Sequence, residues 1–407
     1  MSNPVMARTV VLAALLASLA VAQDPKEGLS SKEMAEAKEL VKQYFAAKTW
    51  DEKKAVVEKL EAIDHPSKAD MKSLTVFCFQ QAARGPLVDT KPRQKCTDPA
   101  YPGEYILQAP GSARQKPTGV FISLHGGGEG VGEGSQIQGL FGTPGPGMIN
   151  VFPTVVQKTA TAWNTEREEQ YVMAILDELK RSFRVDTNHV YLAGHSMGGF
   201  GTWSIGGRHA DLFAAISPMA GGTFGSGVIP NLKNTPIWVY HSTDDAQVGA
   251  DSDIKAAEQL AKMKEKYGPF DFVWKLYNDI GHGLPKDGTK PIFDWMLKKT
   301  RDPFPKHVVW EGSRSYKRFF FWLKKEKPGG LVEAKRDGNT IALTGSTGGL
   351  EVLLSEKMVK FADPVVVTVD GKEVYNAKVT YSLVTLVESV AAKNDPEMYF
   401  VARVRVP

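Results

Sequence analysis

A serine flanked by closely spaced glycines, directly after a short apolar run, is the feature that most constrains this chain. Residues 190–193 are Val-Tyr-Leu-Ala, and the next five are Gly194, His195, Ser196, Met197 and Gly198. The run is long enough for a buried strand, and G-x-S-x-G after a strand is typical of a sharp turn into a helix. Such a turn strains the serine backbone and leaves no room for side chains at the two glycines. The sequence therefore predicts a strand, a tight turn that exposes the Ser196 hydroxyl, and a helix.

The composition is that of an ordinary globular protein. The chain has 407 residues, enough for one large domain and a smaller one, and its net charge of +4 is small and spread along the chain. This charge neither favours nor excludes an anionic partner. A basic groove for nucleic acid is not evident, so a nucleic-acid partner is not predicted.

The N-terminus has the three parts of a secretory signal peptide. Arg8 precedes an apolar run at residues 10–19, and residues 20–22 (Ala-Val-Ala) supply a cleavage site before Gln23. We expect residues 1–22 to be removed and the protein to be secreted or periplasmic. An uncleaved membrane anchor is the alternative, which the short apolar run disfavours. No later segment is apolar enough to span a bilayer, so stable membrane insertion is not expected.

The predicted export signal bears on the redox state of the two cysteines. An exported protein meets an oxidising compartment, where Cys78 and Cys96 could form a disulfide. Two free thiols are the alternative, because a sequence does not give the distance between two residues.

Periodicity divides the rest of the chain into three segments. Residues 23–100 form an N-terminal helical segment with three amphipathic stripes, the first of which is capped by Ser30 and Glu33. In residues 101–303, short apolar runs alternate with amphipathic stretches, which predicts βαβ units and a doubly wound, mostly parallel sheet. Residues 304–407 are predicted to be a small β-rich accessory domain.

Three local expectations refine this division. The Gly-rich segment 126–147 has no clear periodicity and is expected to be a loop, either a rim over the serine or an irregular connection. The apolar run at 319–323 is expected to be one strand. Asp370-Gly371 is expected to be a hairpin turn.

Two further polar groups follow predicted strands, as Ser196 does. Residues 241–248 read His-Ser-Thr-Asp-Asp-Ala-Gln-Val and offer a carboxylate, and His282 stands between two glycines after the last strand of the sheet. A serine is a poor nucleophile until a histidine takes its proton, and the carboxylate fixes the tautomer of that histidine. Ser196, the carboxylate and His282 therefore form a candidate catalytic triad.

A candidate oxyanion hole accompanies the triad. The backbone N–H of Met197 would lie at a helix N-terminus, where it can face a developing negative charge. Residues 125–128 read His-Gly-Gly-Gly and follow a predicted strand. The N–H of Gly126 or of Gly127 is therefore expected to be the second donor.

These motifs resemble those of the α/β-hydrolase superfamily, in the branch of esterases similar to dienelactone hydrolases, polyhydroxybutyrate depolymerases and feruloyl esterases. The resemblance covers residues 104–300, roughly half of the chain, and implies an α/β-hydrolase fold. It also implies that Trp163 lines the substrate pocket, although a core role is equally open. His195 is a second candidate for substrate contact, with packing as its alternative.

The resemblance also selects a carboxylate. The family's acid motif, H-G-x-x-D-x-x-V, aligned from His241 to Val248, implies that Asp245 is the acid of the triad. Ser242 stands where the motif has glycine, so the local turn can differ and Asp244 stays open.

Together these observations predict a secreted serine hydrolase that cleaves carboxylic esters, small or polymeric, through an acyl-enzyme intermediate. A serine peptidase of the same fold is one alternative, and a binding protein that acts through residues 304–407 is another. The triad chemistry needs no cofactor. The sequence has neither an H-E-x-x-H motif nor a Cys/His cluster to indicate a catalytic metal. The acyl group, the alcohol and the oligomeric state stay open.

Overall fold

The structure, a computed structural model, describes residues 28–63, 65–223, 225 and 228–407. The predicted signal peptide at residues 1–22 lies outside the described residues. No helix in the described part of the chain is long and apolar enough to cross a membrane.

The N-terminal segment contains the three expected helices, α1 (Ser31–Ala46), α2 (Trp50–Glu61) and α3 (Lys68–Ala82). Each begins at a capping box, in which a Ser or Thr side chain and an acidic side chain three residues later accept each other's backbone N–H. Their apolar faces pack against a helix near the other end of the chain, around the buried side chains of Leu40, Leu74 and Leu386. The two ends of the described chain therefore share one hydrophobic cluster.

The centre of the fold is a mostly parallel sheet, as predicted. Its eight strands are β1 (Arg93–Lys95), β2 (Glu104–Gln108), β3 (Thr118–Leu124), β4 (Ile149–Pro153), β5 (Val185–His195), β6 (Ala215–Met219), β7 (Ile237–Ser242) and β8 (Phe272–Tyr277). They lie in the order β1-β2-β4-β3-β5-β6-β7-β8. The pairs β1–β2 and β2–β4 are antiparallel and the others are parallel. Strands β3, β4 and β6 are buried at every residue, which requires cover on both faces of the sheet.

The helices that alternate with these strands are α4 (Gly134–Phe141), α5 (Glu166–Ser182), α6 (Met197–Arg208), α7 (Asp251–Tyr267) and α8 (Lys290–Met296). Helix α4 corrects the expectation of a loop throughout residues 126–147. The side chain of Gln136 accepts the N–H of Glu133 at the start of this helix, at 3.0 Å. Ile137 and Phe141, four residues apart, are buried on one face. A stripe of two residues among glycines is too short to stand out in the sequence.

Two smaller sheets and a helix follow. The five-stranded sheet has the order β16-β15-β13-β12-β9 and the four-stranded sheet the order β10-β11-β14-β17, with α9 at Leu383–Lys393. The strands are β9 (His307–Gly312), β10 (Phe319–Phe320), β11 (Leu323–Lys325), β12 (Gly330–Asp337), β13 (Thr340–Gly345), β14 (Leu350–Leu354), β15 (Val365–Val369), β16 (Lys372–Ala377) and β17 (Ala402–Arg405).

The local expectations for this region have different outcomes. Asp370 and Gly371 both have positive φ and join the antiparallel strands β15 and β16, so the predicted hairpin turn is confirmed. The single strand expected at 319–323 is wrong. Phe320 pairs with Leu323 across a turn, and Phe321 takes a φ of 46°. All the side chains from Phe320 to Leu323 are buried, so hydrophobicity gives no sign of the turn.

The β-rich region and the central sheet belong to one continuous core. Buried side chains of β3 and β5 lie in the same hydrophobic cluster as Trp310 of β9. Asn231 exchanges hydrogen bonds with the backbone of Glu311.

The structure decides between the two alternatives for the cysteines, because Cys78 and Cys96 are both buried and unpaired. Burial raises the pKa of each thiol to about 12, which makes both unreactive.

Candidate active site

Ser196 lies in the strained turn that the sequence predicts, between the end of β5 and the start of α6. Its backbone has φ 59° and ψ −124°, a conformation that costs a residue with a side chain about 1–3 kcal/mol. A Cβ atom at Gly194 would lie 2.3 Å from the carbonyl oxygen of Gly198. A Cβ atom at Gly198 would lie 2.0 Å from the carbonyl oxygen of Leu124 in β3. Only glycine fits at both positions, and this tight packing holds the serine in place.

Three of the predicted site residues are joined by hydrogen bonds. The distance from Ser196 Oγ to His282 Nε2 is 2.8 Å, and from His282 Nδ1 to Asp245 Oδ2 is 2.6 Å. Asp245 follows β7 and His282 follows β8, so both reach the edge of the sheet where β5 ends. The His282 side chain is 11% exposed and that of Asp245 is fully buried. Water therefore has little access to the bond between them.

The alternative acid, Asp244, has other partners. Its Oδ1 accepts the N–H of Gly281 at 2.9 Å and also the hydroxyl of Ser242. Asp244 thus fixes the loop that carries His282, while Asp245 contacts the imidazole itself. Ser242, which stands where the family motif has glycine, is one of the groups that donate to Asp244.

Asp245 is held as a carboxylate. Its Oδ1 accepts the N–H groups of Gln247 and Val248 at 2.8 and 2.9 Å. Burial alone would raise the pKa of Asp245, but these two N–H groups and His282 outweigh burial and lower it below the ordinary value. Asp245 is therefore ionised at neutral pH and can accept the Nδ1–H of His282.

A second histidine, which the sequence analysis did not assign to the site, lies behind Asp245. His241 is fully buried, and its Nδ1 lies 2.8 Å from Asp253 Oδ2. Its Nε2 lies 2.9 Å from the carbonyl oxygen of Val248 and 3.2 Å from Asp245 Oδ2. Both ring nitrogens face acceptors only, so both must carry a proton to be satisfied. His241 is therefore an imidazolium placed between two buried carboxylates.

This arrangement extends the hydrogen-bonded network of the candidate triad into the core. Burial lowers the pKa of His241, but the hydrogen bond and charge of Asp253, the Val248 carbonyl and the charge of Asp245 together outweigh burial, so the pKa is raised. Asp253 in turn accepts Trp203 Nε1–H from α6 at 2.7 Å. Asp253 lies eight residues after Asp245, within the first turn of α7. Neither spacing nor residue type distinguishes such a pair from other polar residues, so the sequence carried no usable signal.

The loop after β3 brings Gly126 against the serine. A Cβ atom at Gly126 would lie 3.1 Å from Ser196 Cβ, so the glycine backbone approaches closely. Val155 donates its N–H to His125 Nε2 at 3.2 Å, which leaves the proton of the ring on Nδ1, and this Nδ1 lies 2.6 Å from the Gly126 carbonyl oxygen. A trans peptide points its N–H opposite to its C=O. The fixed Gly126 carbonyl thus also fixes the direction of the Gly127 N–H.

Within the described residues, the N–H groups of Met197, Gly126 and Gly127 have no protein acceptor. Met197 is the first residue of α6, where an N–H has no partner inside the helix. The N–H of Met197 is the expected first donor of an oxyanion hole, and the N–H groups of Gly126 and Gly127 are the two alternatives for the second.

The two candidates for substrate contact lie deeper than expected. Trp163 is fully buried, and its Nε1–H donates to the His125 carbonyl at 3.0 Å. This placement favours the core alternative, in which Trp163 supports the His125 loop from below. His195 is 9% exposed, and its ring centre lies 4.9 Å from that of His282. Burial and the neighbouring His282 lower the pKa of His195 to about 4, so its ring is neutral.

The arrangement has the parts required for nucleophilic catalysis at a carbonyl carbon: an oriented hydroxyl, a base within hydrogen-bond distance, a carboxylate behind the base and free N–H donors nearby. Within the described part of the chain, no group of three or more His, Cys, Asp or Glu side chains is arranged to hold a metal ion.

The strand order, the serine turn after β5 and the chain order Ser196, Asp245, His282 occur together in one architecture. The fold is that of the α/β hydrolases. This confirms the fold class that the resemblance implied, for the part of the chain that forms the central sheet. The three N-terminal helices and the two smaller sheets lie outside the part that the resemblance covers.

No family model matches the chain. The chain is 32% identical to a bifunctional acetylxylan esterase/xylanase of Neocallimastix patriciarum. This match runs over 102 residues and covers 24% of this chain and 15% of that protein. The chain is also 26% identical to NocK of Nocardia uniformis subsp. tsuyamanensis, whose given name is that of an esterase. This match runs over 170 residues and covers 38% of this chain and 49% of NocK. The chain thus spans less than half the length of either relative.

Solved esterase structures are similar only in part. A thermostable esterase is 23% identical with a TM-score of 0.43, over 51% of this chain and 63% of its own. An acetyl xylan esterase from Aspergillus awamori is 15% identical with a TM-score of 0.40, over 50% of this chain and 98% of its own.

We predict that His241 carries both ring protons at neutral pH while His125 and His195 carry one each. Asp253 raises the pKa of His241, whereas burial lowers the pKa of His125 and of His195 to about 4. The ring nitrogen shifts of ¹⁵N-histidine-labelled protein, titrated from about pH 5 to pH 8, report these states, and His241→Gln assigns the signal. A His241 ring that loses its proton below the ordinary pKa of about 6.5 would contradict the assignment.

Proposed function

We propose that the protein is a secreted serine hydrolase that cleaves carboxylic esters through an acyl-enzyme intermediate. The observation that carries this proposal is the continuous hydrogen-bonded series Ser196 Oγ, His282 and Asp245, with distances of 2.8 and 2.6 Å. A buried carboxylate, a nearly buried imidazole and a strained serine rarely align without a catalytic purpose.

In the proposed mechanism, Ser196 Oγ attacks the ester carbonyl carbon while His282 Nε2 takes the hydroxyl proton. Asp245 stabilises the imidazolium that forms, and His282 then gives its proton to the leaving alcohol. Water enters, loses a proton to His282 and attacks the acyl-Ser196 carbonyl. The carboxylic acid leaves and the serine regains its proton. All groups return to their starting states and no cofactor takes part.

The negative charge of each tetrahedral intermediate would be stabilised by backbone N–H groups. Met197 N–H is one proposed donor and the N–H of Gly126 or Gly127 is the other. The fixed orientation of the 126–127 peptide supports this role, because donors that are held in place before the reaction need not reorganise during it. His125 and Trp163 would act as positioning residues for this loop.

His241 is proposed as a positioning residue for Asp245. Its imidazolium shares Asp245 Oδ2 with His282, at 3.2 and 2.6 Å. The positive charge compensates the cost of burying the Asp245 carboxylate, and the fixed Oδ2 holds the His282 ring with Nε2 towards the serine.

The choice of esters over amides rests on the relatives. Both curated relatives carry the name of an esterase, and the shared segments are short, so the substrate is a proposal. A peptidase would use the same groups, with an amine as the leaving group. Secretion rests on the signal-peptide pattern at residues 1–22.

The decisive test uses mature protein, Ser196→Ala and a matched serine variant. We expect wild-type protein to hydrolyse short p-nitrophenyl esters and to react with a fluorophosphonate probe. Ser196→Ala should lose the labelling and at least about a thousandfold in kcat/KM. Ser217→Ala, a fully buried serine in the neighbouring strand β6, is the control for labelling. Wild-type labelling with turnover of peptide substrates only would favour the peptidase, and a folded protein with neither activity would refute both.

The acid is identified by comparing two neighbouring carboxylates. Asp245→Asn should lower kcat by about 10³–10⁴-fold, because an amide NH₂ facing His282 Nδ1 favours the wrong tautomer. Asp244→Asn keeps an oxygen that can accept the Gly281 N–H, so kcat should stay within about threefold, as expected for a residue outside the proton path. Equal losses in the two variants would remove the distinction between Asp245 and Asp244.

The oxyanion loop offers a similarly matched pair. Gly126→Ala would place a methyl group 3.1 Å from Ser196 Cβ and 3.3 Å from the His195 carbonyl oxygen, so the loop must move. We expect kcat/KM to fall about 10²-fold, the usual cost of one displaced donor. Gly128→Ala adds the same group two residues later, where nothing lies within 4 Å, and kcat/KM should be unchanged. Full activity in Gly126→Ala would argue against a role for this loop.

A further inference from the structure

A cavity of about 550 Å³ lies away from the candidate active site, and Ser196, Asp245 and His282 are not among its lining residues. It opens where α1, α2, α5, α9 and the connection between β9 and β10 meet. We call it the basic cavity, because six of its lining side chains are basic: Lys53, Lys180, Lys317, Arg318, Lys324 and Lys393. Three lining side chains are acidic: Asp98, Asp177 and Glu388.

The ion pairs around the inner wall of the basic cavity leave positive charge in excess. Lys317 and Lys393 share one fully buried carboxylate, that of Asp211, with both nitrogen–oxygen distances at 2.7 Å. The neighbouring carboxylate of Asp395 is paired with Arg301 at 2.7 Å. Lys180 has no carboxylate within ion-pair distance in the described part of the chain. Asp177, which also lines the cavity, is paired with Arg181. Counted in this way, five cations face three anions around this wall.

The lysine ammonium groups also have unused donors. Lys180 Nζ donates to the carbonyl oxygen of Lys393 at 2.8 Å, and Lys317 and Lys393 each donate to one oxygen of Asp211. An ammonium group has three donors, so each of these cavity-lining lysines has hydrogen-bonding capacity left. Buried cations without full compensation are costly, and an anion from solution would supply both the charge and the acceptors.

The pKa values are consistent with this missing charge. Burial lowers the pKa of Lys180. Burial and the positive charge of the neighbouring Lys317 also lower the pKa of Lys393, to about 8, although Asp211 acts to raise it. A bound anion would favour the charged form of both lysines.

Aromatic side chains also line the same cavity, and we call them the aromatic rim: Tyr44, Trp50, Tyr101, Tyr316 and Phe319. Trp50 is 44% exposed, and the guanidinium of Arg318 lies 4.1 Å from its ring centre. Lys53 Nζ lies 5.5 Å from the ring centre of Tyr44. This rim offers flat apolar surfaces beside positive charge, which suits a ligand that has an organic body as well as an anionic group.

We propose that the basic cavity binds a small organic anion, with its carboxylate or phosphate group at Lys180, Lys317 and Lys393 and its body against the aromatic rim. This site is separate from the ester-cleaving site and does not depend on it. The lysines would recognise the anionic group itself, whether it is the carboxylate of an acidic sugar or the phosphate of a phosphorylated sugar.

The test is calorimetric titration of the mature protein with glucose 6-phosphate, glucuronate and uncharged glucose at low ionic strength. We expect one or both anions to bind at one site and glucose not to bind, with affinity falling as salt is added. The two anions distinguish a phosphate from a carboxylate preference. Lys180→Gln should weaken binding at least about tenfold, the value of one charge-assisted hydrogen bond. Lys317→Gln is a second variant of the same cluster, for the case in which Lys180→Gln does not fold.

Lys233→Gln is the matched control. Lys233 also donates to a single backbone carbonyl, that of Pro269 at 2.9 Å, but lies outside the basic cavity. Its replacement should leave the affinity unchanged, and so should Ser196→Ala, which separates this proposal from the ester-cleaving one. Failure of both anions to bind wild-type protein, equal binding of glucose, or equal losses in the Lys180 and Lys233 variants would overturn the proposal.

Discussion

The close approach of the serine turn to strand β3 is the constraint on which the site depends. Gly198 lies so near the Leu124 carbonyl that a Cβ atom would come within 2.0 Å of it. This contact fixes the start of α6, and with it the N–H of Met197. Strand β3 also continues into the loop that carries Gly126. A single backbone contact thus sets the positions of the nucleophile and of both sides of the candidate oxyanion hole.

Buried charge governs the other half of the site. Asp245 and Asp253 are both buried, and His241 lies between them with a proton on each nitrogen. The charged His241 and the two carboxylates together carry one net negative charge. His282 adds a positive charge beside Asp245 only when His282 accepts a proton. A buried network of this kind is stable when every donor and acceptor is satisfied. Helix α7 supplies Asp253 to this network, and α6 supplies the Trp203 side chain that donates to Asp253.

The sequence predicted the parts of this structure that local patterns encode. The capping box of α1, the serine turn and the hairpin at Asp370 each arise within a few residues. Asp245 was selected over Asp244 only through a family motif. What the sequence did not predict depends on distant contacts. His241 becomes part of the site only when α7 folds back over β7. The turn at Phe321 is hidden because every residue around it is apolar and buried.

The two sites differ in how their buried charges are balanced, and this difference has a physical consequence. In the candidate active site, two carboxylates face two histidines, and His282 can gain or lose a proton, so the chain itself completes the balance. In the basic cavity the lysines, Arg181 and Arg301 outnumber Asp177, Asp211 and Asp395, and even Lys393, whose pKa burial lowers to about 8, stays mostly protonated at pH 7. A site of the first kind needs no further ion to balance its charge. A site of the second kind gains stability only when an anion enters, so occupancy there would also stabilise the junction between α5, α9 and the N-terminal helices.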